Sequence, residues 1–203
     1  TAYEHALNLF RTCPEGSTLV MEGDNHLFPA AYGRIVGGMG KNITLYDRHN
    51  IVFKMPYLGE DMKTFHGSWP DLREILERQI IRKRAQSGLY FAMFNPADIP
   101  LPDGYRLIPA GLLYRVVKEG APVRAGVDPW PWYASESIFE PFERDYMTRQ
   151  LTANFLFHRG VALVRSGRKD PGDAYLRRAF RLHRQGTGLG ALIAFLMCES
   201  DGT

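Results

Sequence analysis

Residues 17–46, STLVMEGDNHLFPAAYGRIVGGMGKNITLY, decide the fold. The stretch opens with a short β-prone run over 17–21, which stops at the turn formers Glu22-Gly23-Asp24-Asn25. Apolar residues at helical spacing follow, and the glycines between 37 and 40 end them. A second β-prone run lies at 43–46. This order of strand, acidic loop, helix and strand predicts a βαβ unit with a parallel strand pair.

The rest of the first half extends this unit. Helices are predicted over 2–11 and 71–87, strands over 51–54 and 89–93, and an antiparallel pair over 105–109 and 112–117. The charged side of helix 71–87, which includes Glu77, is predicted to be a solvated face with i,i+4 pairs. The predicted fold class is α/β, a small Rossmann-like βαβ sheet in two or three layers with a terminal antiparallel pair.

A connector and a helical half follow the predicted α/β domain of residues 1–120. The connector, residues 121–142, is rich in proline and tryptophan, and its aromatics are predicted to hold it against the domain, with sugar stacking or a membrane interface as alternatives. Residues 143–203 form a predicted all-helical annex, with helices over 145–166, 173–183 and 188–199. Its small and large residues resemble one tetratricopeptide unit, with a generic helical hairpin as the alternative: Leu156, Gly160, Leu163, Gly167, Gly172, Leu176 and Ala179.

The acidic loop carries the candidate site residues. Asp24, Asn25 and His26 follow a strand and enter a helix, which is where open α/β sheets commonly build their sites. These side chains are able to act as metal ligands, as an acid–base pair or as hydrogen-bonding partners of a sugar. A structural alternative is that Asp24 or Asn25 caps the helix while Gly23 takes a positive φ.

Composition and spacing argue against several classes. The 25 Lys and Arg nearly balance 22 Asp and Glu, so the net charge of +3 is too small to predict a nucleic-acid partner. The other histidines show no grouping of the kind that a two-metal site needs, and the glycines at 37, 38 and 40 follow a helix, so neither a metal nor a dinucleotide cofactor is predicted. Cys13 and Cys198 are predicted to be two unlinked thiols.

Two segments carry a resemblance to a known family. Gly23, Asp24 and Asn25 are followed by Phe28, Pro29 and Tyr32, and a later segment reads Pro109, Gly111, Leu112, Tyr114 and Arg115. Together they resemble the C-terminal soluble region of a bacterial multi-spanning membrane protein family related to protein O-mannosyltransferases, which use lipid-linked sugars. His26 stands where that family commonly has a second Asp.

The resemblance implies a membrane anchor N-terminal to this chain, and the start at Thr1 instead of Met predicts a longer parent. It also implies that the transferase active site lies in that membrane part, with this tail on the extracytoplasmic (periplasmic) side. The predicted function is a non-catalytic accessory domain that binds acceptor, glycan or a protein partner, with Asp24, Asn25, His26 and Tyr32 as hypothetical ligand-binding residues. The alternatives are a small hydrolase or ligand-binding enzyme centred on the loop, and a free-standing protein-interaction module.

Overall fold

The structure is a computed structural model that describes residues 1–54, 66–122, 128–140 and 145–182. The predicted helix 188–199 and Cys198 lie outside the described residues. The strands within them are β1 (Thr18–Met21), β2 (Thr44–Asp47), β3 (Leu89–Ala92), β4 (Tyr105–Ala110) and β5 (Leu113–Lys118). The α-helices are α1 (Ala2–Thr12), α2 (Asp24–Ile35), α3 (Trp69–Gly88), α4 (Glu136–Phe139), α5 (Tyr146–Arg165) and α6 (Lys169–Leu182).

The strands form one mixed sheet in the order β2-β1-β3-β5-β4. β1 is parallel to both of its neighbours, with Leu19 opposite Leu45 on one side and Tyr90 on the other. β5 is antiparallel to β3 and forms a hairpin with β4. The α/β class, the parallel pair and the terminal antiparallel pair are confirmed. Because β1, β2 and β3 run the same way, their carboxyl ends meet at one edge of the sheet.

Helices cover both faces of the sheet, which makes three layers. One face, with Leu19 and Met21, shares a core with residues of α1, α2 and α5. The other face, with Val20 and Phe91, packs against Ile80 and neighbouring side chains of α3. Every residue of β1 and β3 is buried, as expected for strands that are covered on both sides.

Helices α5 and α6 form a closely packed hairpin that shares the sheet's core. A Cβ atom at Gly160 would lie 2.8 Å from the Leu176 Cγ atom, and one at Gly172 would lie 2.6 Å from Val164 Cγ2. Glycine at these two positions therefore lets the helices approach. Phe155 of α5 lies in the same core as the sheet residues, so the hairpin leans on the α/β part as predicted. Likeness to a tetratricopeptide unit stays a prediction.

Aromatic residues hold the described part of the connector against α5 and the β4–β5 turn. The Trp130 ring meets Phe155 edge-on, with centroids 5.5 Å apart. The Tyr133 hydroxyl accepts a hydrogen bond of 3.1 Å from the Leu112 amide. Trp132 differs, because 65% of it is exposed. Among the described helices, none combines the length and the apolar composition that a bilayer span requires.

The predicted strand at 51–54 is wrong. The Asp47 carboxylate accepts hydrogen bonds from the backbone amides of His49 (2.8 Å), Ile51 (2.6 Å) and Val52 (3.0 Å). These bonds fold the chain back over the end of β2, and the Asp47 amide donates to the Phe53 carbonyl (2.9 Å). A side chain thus occupies amides that a strand would offer to a neighbouring strand.

Candidate functional site

The acidic loop lies at the carboxyl edge of the parallel strands, as predicted. The Glu22 amide still donates to the Ala92 carbonyl of β3 (3.0 Å), and the chain turns into α2 at once. Gly23 makes this turn with φ 81° and is the residue that caps the helix, which confirms its predicted positive φ. The predicted side-chain cap by Asp24 or Asn25 is wrong, because Asp24 is already the first helical residue and no side chain caps α2.

Three of the four candidate residues lie at the surface of α2. Asp24 is exposed, Asn25 is half-buried, and Tyr32 is 55% exposed. Phe28, 47% exposed, stands between them. Since Asp24, Phe28 and Tyr32 are four residues apart, they share one face of the helix. We call this set, with Asn25, the α2 face.

His26, the fourth candidate, points away from the α2 face into the core. It has no exposed surface, and its Nδ1 atom lies 3.0 Å from Nε2 of the buried His5. The His26 ring also stacks obliquely on Phe94, with centroids 4.7 Å apart, while its Nε2 atom has no hydrogen-bond partner within the described residues. The structure therefore separates His26 from Asp24, Asn25 and Tyr32.

Burial keeps three histidines of this core neutral. Desolvation, followed by the charges of His158 and the N-terminus, lowers the pKa of His5 to about 3. Desolvation, and then repulsion from His5 and His158, lowers the pKa of His26 well below its usual value. Desolvation lowers the pKa of His158 to about 4, against a hydrogen bond to the Gly111 backbone. Such groups are neutral packing elements near pH 7.

A buried ion cluster fixes the other side of the same edge. Arg48, 1% exposed, donates from Nε to Glu77 Oε1 (2.5 Å) and from Nη2 to Glu77 Oε2 (2.8 Å). Its Nη1 atom donates to Glu22 Oε2 (2.8 Å), and Nη2 also reaches the Asp98 carbonyl (3.0 Å). Burial disfavours the charge, but the hydrogen bonds and charges of Glu77 and then Glu22 raise the pKa of Arg48.

Glu77 corrects one sequence expectation. It was predicted on the solvated side of its helix, yet it is fully buried, and burial raises the pKa of its carboxyl group against the effect of Arg48. The predicted i,i+4 pairing holds for Glu74 and Arg78, whose side chains meet at 2.9 Å on the exposed side of α3. Glu77 therefore belongs to the core of the fold.

Among the described residues, the exposed ionisable groups of this edge do not form a close catalytic pair. Glu22 Oε1 and His49 Nε2 are 3.9 Å apart, beyond hydrogen-bond reach, and the other Glu22 oxygen is bonded to Arg48. In the described part of the chain, no three His, Cys, Asp or Glu residues are grouped to hold a metal ion. The arrangement offers hydrogen-bonding groups beside exposed aromatic rings, a combination suited to binding.

A second feature, which the sequence analysis did not predict, lies along the face of the sheet that carries Tyr90 and Arg115. It is a cleft of about 1110 Å³, lined by the amino end of β3, the β4–β5 hairpin, the connector and α5. Five arginines line this arginine cleft, namely Arg11, Arg115, Arg159, Arg165 and Arg168. They come from α1, β5, α5 and the turn after α5, so no local pattern predicts the cleft.

Comparison with known proteins adds no assignment. No protein-family model matches the chain, and neither curated proteins nor solved structures give a significant match.

Proposed function

We propose that this chain is a non-catalytic accessory domain of a membrane glycosyltransferase-like protein, on the extracytoplasmic side of a bacterial inner membrane, and that its α2 face binds a glycan acceptor. The single observation that carries the binding surface is the α2 face itself. There, an exposed carboxylate and an amide adjoin two exposed aromatic side chains. The membrane setting rests on the sequence resemblance.

The chemistry of the α2 face suits a sugar. The Asp24 carboxylate and the Asn25 amide are able to accept and donate hydrogen bonds to hydroxyl groups. Phe28 and Tyr32 offer apolar ring faces, against which the C–H faces of a sugar ring pack. Because Gly23 makes the turn without a side-chain cap, neither polar side chain is committed to capping the helix.

Two features support binding over catalysis at this edge. The Glu22 carboxylate is bonded to Arg48, and the loop's own His26 and its neighbour His5 are buried and neutral. General acid–base chemistry needs a group that titrates near the working pH and reaches the substrate. The hydrolase alternative would instead require a second, solvent-accessible catalytic side chain beside Asp24.

The test is a titration of the intact chain with mannotriose, followed by calorimetry or by amide chemical shifts. Asp24→Ala and Tyr32→Ala should each weaken binding about tenfold, since each removes a direct contact worth about 1.4 kcal/mol. The melting temperature should stay within a few degrees, because both residues are at the surface.

Matched controls exist elsewhere in the chain. Asp170 is also an exposed acidic residue in the first turn of a helix, and Tyr146 is also an exposed helical tyrosine. Asp170→Ala and Tyr146→Ala should bind mannotriose as the wild type does. Equal weakening by test and control variants, or no mannotriose binding at all, would remove the glycan proposal. Capture of a protein on the α2 face without sugar binding would instead support the interaction-module alternative.

A further inference from the structure

The arginine cleft concentrates positive charge that no salt bridge within the described residues neutralises. Asp128 is the acidic residue among its lining side chains, against five arginines. None of these arginines forms a salt bridge with any other residue that the structure describes. This contrasts with Arg48, whose buried charge has two carboxylate partners. Uncompensated guanidinium groups in a concave site favour an anion.

Arg115 is fixed at the wall of the cleft by the sheet. It is the third residue of β5 and pairs with Tyr90 of β3 and Ile108 of β4, which places the three side chains on one face. Its Nε atom is buried and has no hydrogen-bond partner among the described residues. Burial raises the pKa of Tyr90, so the neighbouring phenol stays neutral and does not balance this charge. A buried donor on a charged group is unfavourable unless something accepts its hydrogen bond.

Arg159 is held against an aromatic ring, in an orientation that suits anion binding. Its guanidinium carbon lies 5.0 Å from the centroid of the Trp130 ring, which itself packs against Phe155 and Tyr133. Stacking restricts the side chain while the guanidinium edge stays free to donate hydrogen bonds. Arginine in such a position binds phosphate through paired N–H groups.

We propose that the arginine cleft binds a small phosphate-bearing molecule, a diphosphate ester, whose phosphates are held by Arg115 and Arg159. A diphosphate carries several negative charges in a small volume, which matches the excess of arginine better than a single carboxylate does. The cleft is large enough for a complete small ligand, since sites for such molecules have volumes of about 300–1,000 Å³. A planar lipid surface fits less well, because Arg115 is half-buried inside the concavity.

The experiment titrates the intact chain with inorganic pyrophosphate at about 50 mM salt, where charge screening is modest. We expect a Kd below about 1 mM, weakening as salt is raised. Arg115→Gln and Arg159→Gln should each weaken binding about tenfold, through loss of a charged hydrogen bond. Arg168→Gln, at an exposed position on the cleft, should weaken it by a smaller factor without endangering the fold.

The matched control is Arg78→Gln, which removes a positive charge from α3 outside the cleft and should leave pyrophosphate binding unchanged. Uridine diphosphate and geranyl diphosphate then identify the source of the phosphate. Tighter binding of the first indicates a nucleotide, and tighter binding of the second indicates a lipid-linked diphosphate.

Three results would overturn the proposal. The first is no pyrophosphate binding at about 5 mM, and the second is wild-type affinity for pyrophosphate in all three cleft variants. The third is binding of phosphatidylglycerol vesicles without binding of pyrophosphate. The site is separate from the α2 face, so a failure here leaves mannotriose binding untouched, and the reverse also holds.

Discussion

The carboxyl edge of the parallel strands and the arginine cleft differ in how their charged side chains are paired. At the carboxyl edge, Arg48 is buried between Glu77 and Glu22, and the Asp47 carboxylate accepts hydrogen bonds from three backbone amides. The arginine cleft holds five guanidinium groups whose charges no described carboxylate pairs. Paired, buried charge fixes the fold, whereas unpaired charge in a cleft is open to a ligand. Arginine therefore stabilises the fold at the carboxyl edge and, as we propose, binds a ligand in the cleft.

Acid should produce the largest loss of stability, through the buried histidines. The pKa of His5 is about 3 and that of His158 about 4 in the folded chain, against 6.5 in the unfolded chain. At a pH between the folded and unfolded pKa values, these histidines are protonated in the unfolded chain but neutral in the folded chain. Stability is therefore full above pH about 6.5 and falls as the pH drops towards 4, by up to about 1.4 kcal/mol per pH unit for each histidine.

Urea unfolding at pH 7, 6 and 5 measures this loss. The His158→Phe variant should lose less stability between pH 7 and pH 5 than the wild type does, because one proton-binding group is gone. His49→Gln is the control at an exposed position and should follow the wild-type profile. Equal wild-type stability at pH 7 and pH 5 would contradict the lowered pKa values of the buried histidines.

Replacing Glu77 should cost the most stability among the charge substitutions. Glu77→Ala leaves the buried Arg48 charge with one of its two carboxylate partners, Glu22, and this loss costs about 3–5 kcal/mol of unfolding free energy. Glu74→Ala removes the exposed partner of Arg78 from the same helix and should cost less than about 1 kcal/mol. Chemical denaturation at pH 7 measures both losses. Similar losses in the two variants would mean that the buried cluster is no more important than a surface pair.

Replacing a cleft arginine should have the smallest effect on stability. Arg168→Gln removes an exposed, unpaired charge from a group of like charges, so the unfolding free energy should change by less than about 0.5 kcal/mol. A slight gain is consistent with relief of repulsion. A loss comparable to that of Glu77→Ala would show that the cleft arginines are structural.

Local patterns in the sequence were sufficient for most of the elements. The βαβ unit follows from turn formers at residues 22–25 and from apolar spacing within α2, both of which act over a few residues. The strand expected at 51–54 failed because Asp47, some residues earlier, captures the amides there. A β-prone composition does not reveal a competing side-chain acceptor.

The sites depend on contacts that a single segment does not show. Arg48 and Glu77 are 29 residues apart, and nothing in the helical pattern of α3 distinguishes Glu77 from the exposed Glu74. His26 was grouped with Asp24 and Asn25 because they are adjacent in sequence, although the helix directs their side chains to opposite sides. The arginine cleft brings together residues 11 and 168, which only the tertiary fold places near each other.

The most direct test is one amide-shift experiment on the intact chain with two ligands added in turn. Mannotriose should shift signals of residues 24–35 on α2, and pyrophosphate should shift a separate set in residues 110–116 and 159–168. Shifts by both ligands at the same residues, or by neither ligand at these residues, would contradict the division between a glycan-binding face and an anion-binding cleft.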